Sequence, residues 1–166
     1  MKRGRLAILL VAVAALLLTP RALLAVSEVK GRRLAWELEG WRSAIEMYRA
    51  QHYGYSPGYV VRDGEYTPVV DSEFIVMQLT GYTDVAGKIS LIRNRRSYPF
   101  GPYMGVIPAS PLGGKAGPRS IAVVPPGRAV ADEGDGSTAW LYRIKTGSLR
   151  ANSPDEAPDG SRYWDW

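Results

Sequence analysis

The chain has 166 residues and a formal net charge of +5, which is room for one small domain with an appendage. It holds no cysteine and a single histidine, His52, which excludes disulfides, thiolate metal sites, a cysteine nucleophile, a lipidated cysteine and any cluster of histidine ligands. The positive charge argues against nucleic acid once it is located: residues 1–33 hold seven Lys/Arg against Glu28, leaving 14 Lys/Arg and 15 Asp/Glu in residues 34–166, so the excess flanks an apolar segment, where it sets membrane orientation. The basic cluster Arg93, Arg95 and Arg96 reads as a solvated loop rather than a nucleic-acid patch.

Leu6 to Leu18 is an unbroken apolar run, interrupted by Thr19-Pro20-Arg21 and resumed over Ala22 to Val26. As a helix the stretch 6–26 extends roughly 30 Å, enough to span a membrane. Pro20 removes one backbone donor and predicts a kink there. Lys2, Arg3 and Arg5 favour a cytoplasmic N-terminus, while Lys30, Arg32 and Arg33 on the other side dilute that bias. A second reading is a cleaved secretory signal ending near Ala25, with Leu23 where a small residue is preferred. A third is a buried soluble helix.

The segment after the span continues as helix. Leu34, Leu38, Trp41, Ile45, Tyr48 and His52 recur at steps of four and three, one apolar stripe over five turns. Glu39 and Glu46 stand three residues before Arg42 and Arg49, spacing that pairs opposite charges on a helix surface. Gly54 and Pro57-Gly58 end it. A helix over about 6–53 would be roughly 70 Å long, apolar all round in its first half and amphipathic in its second. His52, at the end of the stripe, reads as a packing or capping residue rather than a catalyst.

Residues 54–166 carry 11 of the 12 prolines and 15 of the 18 glycines, punctuation that leaves room for short strands and loops. Tyr59-Val60-Val61 reads as extended. Asp71-Ser72-Glu73 before Phe74 to Leu79 predicts a capped short helix stopped at Gly81. Ile121 to Val124 predicts a strand closed by Pro125-Pro126. Ala139 to Ile144 and Ser148 to Arg150 bracket Lys145-Thr146-Gly147, a hairpin signal. The expected architecture is α+β: a long helix, kinked near Pro20, whose C-terminal half packs on a small antiparallel sheet with long loops.

Candidate chemistry is sparse. No serine and aspartate stand in a suggestive relation to His52 for a triad. Gly113-Gly114-Lys115 resembles the end of a phosphate loop, but Ala109 stands where its first glycine belongs and no Ser or Thr follows Lys115, so it reads as a turn. Asp132, Glu133 and Asp135 form one acidic loop, and Asp155, Glu156, Asp159 and Asp165 a second acidic set. Hard cations such as calcium take oxygens from such loops, though neither has EF-hand spacing and a solvated turn is the simpler reading.

Four blocks carry a family resemblance. Trp41 to His52, WRSAIEMYRAQH, followed by YGYSPG, resembles the helix ending of the pseudopilins and type IV pilin-like proteins, particularly the major pseudopilin of type II secretion systems. Phe74 to Asp84, FIVMQLTGYTD, resembles a second helix of that family. Gly101-Pro102-Tyr103-Met104 with Ile107 to Pro111 and Gly114 resembles its GPY…IP loop. Trp140-Leu141-Tyr142, Thr146-Gly147 and Ala151-Asn152 resemble its closing hairpin. The blocks stand in family order over about 41–152.

The resemblance implies a pilin-like fold and a subunit of a helical filament, partnered by other pilin-like subunits, inner-membrane assembly components and a prepilin peptidase. It implies four segments: a short basic leader or cytoplasmic end 1–5, a transmembrane helix 6–26, an amphipathic continuation 27–53 and a periplasmic, loop-rich β domain 54–166. By the family pattern the leader ends at Gly4 and the mature chain starts at Arg5, where the family has a Phe-like residue. Leu9 then stands where it has glutamate, and Pro20 lies about six residues too close to Gly4. Family members also bind calcium near the C-terminus, which makes Asp155, Asp159 and Asp165 candidate ligands. The alternatives are an unprocessed membrane-anchored interaction protein derived from a pilin fold and a domain released by signal peptidase.

Overall fold

A computed structural model of the chain describes the backbone of residues 2–130 and 133–166, with side chains from Leu24 onward in those ranges. The side chains of the apolar run 6–18, of Pro20 at the expected kink and of Arg5 at the expected Gly4–Arg5 leader junction lie outside the described residues. Asp132 lies outside them too.

The protein is α+β, with one long N-terminal helix and small sheets. Helix α1 spans Lys2–Gln51. All six stripe residues, Leu34 to His52, are buried, as the 3.6-residue period requires when a single face meets a domain. The last turn closes through Gly54 N to Arg49 O at 2.9 Å, with Tyr53 and Gly54 both at positive φ. Helix therefore stops two residues short of the expected 53.

Beyond α1 the chain forms a hairpin of β1 (Tyr59–Arg62) and β2 (Glu65–Pro68), paired from Tyr59↔Pro68 to Arg62↔Glu65. Helix α2 (Ser72–Thr80) starts as its sequence predicts: the Asp71 side chain accepts from Glu73 N at 2.8 Å, and Gly81 caps the end with its N–H on Met77 O. Two-residue strands β3 (Tyr82–Thr83) and β4 (Ile89–Ser90) pair antiparallel.

The main sheet has order β5-β6-β7, with β5 Ile121–Val124, β6 Trp140–Arg143 and β7 Ser148–Ala151. β6 and β7 form the expected antiparallel hairpin, with Gly147 at φ 68 in its turn. β5, however, pairs with β6 in parallel. The sheet is thus mixed, correcting the antiparallel expectation. A 15-residue connection, 125–139, returns the chain to the start end of β5, and a connection of that length sets no antiparallel register.

The core lies between the α1 stripe and this sheet. Trp41 meets Trp140 edge-on, with centroids 6.1 Å apart. Ala44, Ile45, Ile75, Leu79, Tyr142, Ile144 and Leu149 belong to the same buried cluster. A short 3-10 turn, Tyr163–Asp165, brings the C-terminal aromatic residues back onto α1, where Gly31 admits the Trp166 ring: a Cβ there would stand 3.2 Å from its edge.

Candidate functional site

Two buried amide side chains tie the loops together. Gln78 accepts from Gly58 N at 2.6 Å and donates to Tyr59 O and Gly87 O, both at 2.8 Å. It thereby fastens α2 to the start of β1 and to the β3–β4 turn. Asn152 donates to Asp135 Oδ1 at 2.8 Å and Thr138 Oγ1 at 3.0 Å, and accepts from Asp135 N at 3.1 Å. Asp135 Oδ1 also accepts from Ser137 N and Oγ at 2.8 and 2.7 Å. These donors, Ser137 foremost and then Asn152, hold the Asp135 carboxyl below its ordinary pKa. Asp135 of the first acidic loop is therefore a loop brace.

The candidate calcium ligands are engaged separately. Asp159 Oδ1 accepts from Ser161 N and Oγ, which lowers its pKa. Asp165 forms a two-pronged pair with Arg162, at 2.8 and 3.1 Å. Asp155 meets this region through its backbone, accepting from Tyr163 N at 3.2 Å. Among the described residues no group of three or more Asp, Glu or His side chains is gathered to hold a metal ion. Lys115, as expected, sits in a turn, its N–H on Gly136 O at 3.0 Å.

His52 is a packed residue. Its ring stacks on Tyr48, its Nδ1 lies 2.7 Å from Tyr48 O, and Phe100 meets it edge-on. Burial lowers its pKa, with the Tyr48 carbonyl and Asp84 opposing. Tyr103, which donates to Gln51 Oε1 at 2.8 Å, has its phenol pushed up to about 12 by burial, against the pull of Thr83. The GPY block is thus packed on the end of α1. Gly101 makes that possible: at φ 78, a Cβ would come within 2.4 Å of Gly81 O.

What α1 leaves uncovered is the more informative surface. Leu24, Val26, Val29 and Trp36 are exposed, Trp36 at 71%. A groove of about 440 Å³ runs between the helix and the 103–108 segment, floored by Trp36, Gly40, Met104, Val106 and Pro108 and edged by Glu37 and Glu39. Nothing lies within 4 Å of where a Gly40 Cβ would stand. The apolar stripe does not reveal this face; the signal that marks it is a tryptophan standing off the buried stripe of an amphipathic helix.

Among the described residues no helix is long and apolar enough to cross a membrane, and the side chains of most of the anticipated span 6–26 lie outside them. No protein-family model matches the chain, and neither a curated protein nor a solved structure matches it.

Proposed function

We propose that this chain is a pilin-like structural subunit of a type II secretion pseudopilus or a type IV pilus-like filament, and that it supports protein export. Segment 6–26 holds it in the inner membrane with its N-terminus cytoplasmic and residues 54–166 in the periplasm. Its partners are other pilin-like subunits and inner-membrane assembly components, and its leader is a substrate for a prepilin peptidase at Gly4–Arg5. The role is structural rather than enzymatic.

The observation that carries this reading is the two-sidedness of α1. The domain buries one stripe from Leu34 to His52 and leaves Leu24, Val26, Val29 and Trp36 exposed, while the helix itself reaches back to Lys2. Exposed apolar side chains along a helix that runs on into an apolar sequence suit a bundle of neighbouring helices. The family-like blocks also meet one another in space: Tyr103 and Met104 N–H both donate to Leu79 O of α2, the Tyr103 hydroxyl donates to Gln51 Oε1 of α1, and the hairpin sets Trp140 against Trp41 of α1.

Mass spectrometry of the N-terminus from membranes, together with shearing of cells, tests the proposal. A chain beginning at Arg5 with a methylated amine, recovered in sheared fibres, is the expected result. An intact Met1 with no fibre favours a solitary anchored protein, consistent with Leu9 at the usual glutamate position. A chain beginning near Val26 overturns the anchor.

A further inference from the structure

Charge in the domain is segregated along the chain. Residues 85–131 hold seven Lys/Arg and no Asp or Glu, whereas the remainder of 34–166 holds seven Lys/Arg and all 15 Asp/Glu. The basic stretch is at its densest on the loop after β4. There Arg93, Arg95 and Arg96 are exposed, and among the described residues none of them has a carboxylate within ion-pair distance. Beside them Leu91 and Ile92 are each 78% exposed.

The loop is braced from within. Ser90 Oγ donates to Ile92 O at 2.8 Å and accepts from Ile92 N at 3.2 Å. Asn94 Oδ1 accepts from Arg96 N and Ser97 N at 3.0 and 3.2 Å, and Tyr98 N closes on Asn94 O at 2.7 Å. Two apolar side chains and three guanidinium groups are therefore displayed on a defined turn, which lowers the entropy lost when they meet a partner.

The groove on α1 has the complementary character. Its floor is apolar, Gly40 leaves a gap in it, and its rim is acidic. Glu37 is already engaged by Arg33 at 3.7 Å. Glu39 is exposed, with no ion pair among the described residues.

We infer that the 91–96 loop of one copy docks in the Trp36–Gly40 groove of a second copy, Leu91 and Ile92 entering the apolar floor and the arginines facing Glu39. The two surfaces are different parts of the chain. The contact is therefore heterologous, and each copy offers a free loop and a free groove to the next. The inference rests on the filament reading and names a contact within it.

The absence of cysteine makes this directly testable. Full-length chains carrying Gly40→Cys and Ile92→Cys, distinguished by tags, are co-expressed and treated in membranes with a mild oxidant or a short bis-maleimide. A mixed product between the two tagged chains is expected, with a ladder beyond the dimer when both cysteines are on one chain. Arg95→Glu should lower the mixed product about fivefold, the worth of one exposed ion pair, and Glu39→Arg on the other chain should restore it. Same-site products predominating (G40C to G40C, or I92C to I92C) overturn the contact in favour of a two-fold one, and a product with another protein overturns it in favour of that partner. Lysine cross-linking of unmodified chains separates the failures. Association without the mixed product overturns this contact alone, and no association overturns the filament reading with it.

Discussion

The His52 ring lies flat on Tyr48, with centroids 3.7 Å apart and planes 4° from parallel, while His52 Nδ1 stands 2.7 Å from the Tyr48 carbonyl oxygen. The nitrogen must therefore carry the proton and donate, since a carbonyl only accepts. Burial disfavours the imidazolium and lowers the pKa from its ordinary 6.5.

The sign of the pH dependence follows. Below about pH 6.5 the unfolded chain binds a proton that the folded chain resists, so stability is full above that pH and falls as pH drops toward the folded pKa. As His52 is the only histidine, the melting temperature should decline as pH falls below about 6.5, and His52→Phe should flatten that decline. The single imidazole resonance, followed by NMR, should titrate with a midpoint below 6.5. A midpoint above 6.5 would mean that Tyr48 and Asp84 outweigh burial.

Gln78 is predicted to be the costliest polar residue to replace. Gln78→Leu keeps the volume but strands Gly58 N, Tyr59 O and Gly87 O. A buried group left unpaired costs about 1–3 kcal/mol, so a loss of about 3 kcal/mol is expected in urea unfolding. Amide exchange at Gly58 should accelerate even in conditions where α1 stays protected. An unchanged urea midpoint would show that the loops rearrange to satisfy themselves.

How far the sequence reveals these features depends on whether the cause is local. The buried face of α1 was legible because Leu34 to His52 repeat with the helix period, and the α2 start because Asp71 caps within two residues. The β6–β7 hairpin was legible because Gly147 marks its turn. The parallel β5–β6 pairing was not, since nothing in Ile121–Val124 specifies which strand or direction it will meet. Strand β2 was hidden by its length and by Pro68. At the C-terminus the acidic residues drew attention to calcium, whereas Tyr163 and Trp166 are what seat the segment on α1. Gln78 and Asn152 act through partners up to 20 residues away, which no spacing announces.

Asp135 and Asn152 should behave as one unit. Each of Asp135→Ala and Asn152→Ala removes the 2.8 Å bond between them, and Asn152→Ala also frees Asp135 N and Thr138 Oγ1. A double-mutant cycle should therefore give a coupling of about 1 kcal/mol, within the range for residues sharing a network. Because the Asp135 pKa is lowered from 3.8, its contribution is present above that pH and lost as pH falls through the folded value. The coupling should accordingly be intact at pH 6 and decline as pH is taken below 3.8. Strict additivity at pH 6 would show the loop to be held by other contacts.

Trp36 and Trp41 stand on one helix and should respond oppositely to truncation. Trp41 is fully buried against Trp140, so Trp41→Ala opens a cavity between α1 and the sheet and should cost about 3–5 kcal/mol. Its indole N–H has no hydrogen-bond partner among the described residues, so Trp41→Phe, which leaves no polar group behind, should recover most of that loss. Trp36, mostly exposed over the groove, should cost under about 0.5 kcal/mol as Trp36→Ala. It should nevertheless reduce association between copies, because its ring forms part of the groove floor. Denaturant unfolding of the domain and cross-linking yield in membranes separate the two roles: Trp41→Ala should fail in the first, Trp36→Ala only in the second. A Trp36→Ala chain that associates as well as the parent would remove the groove from the contact.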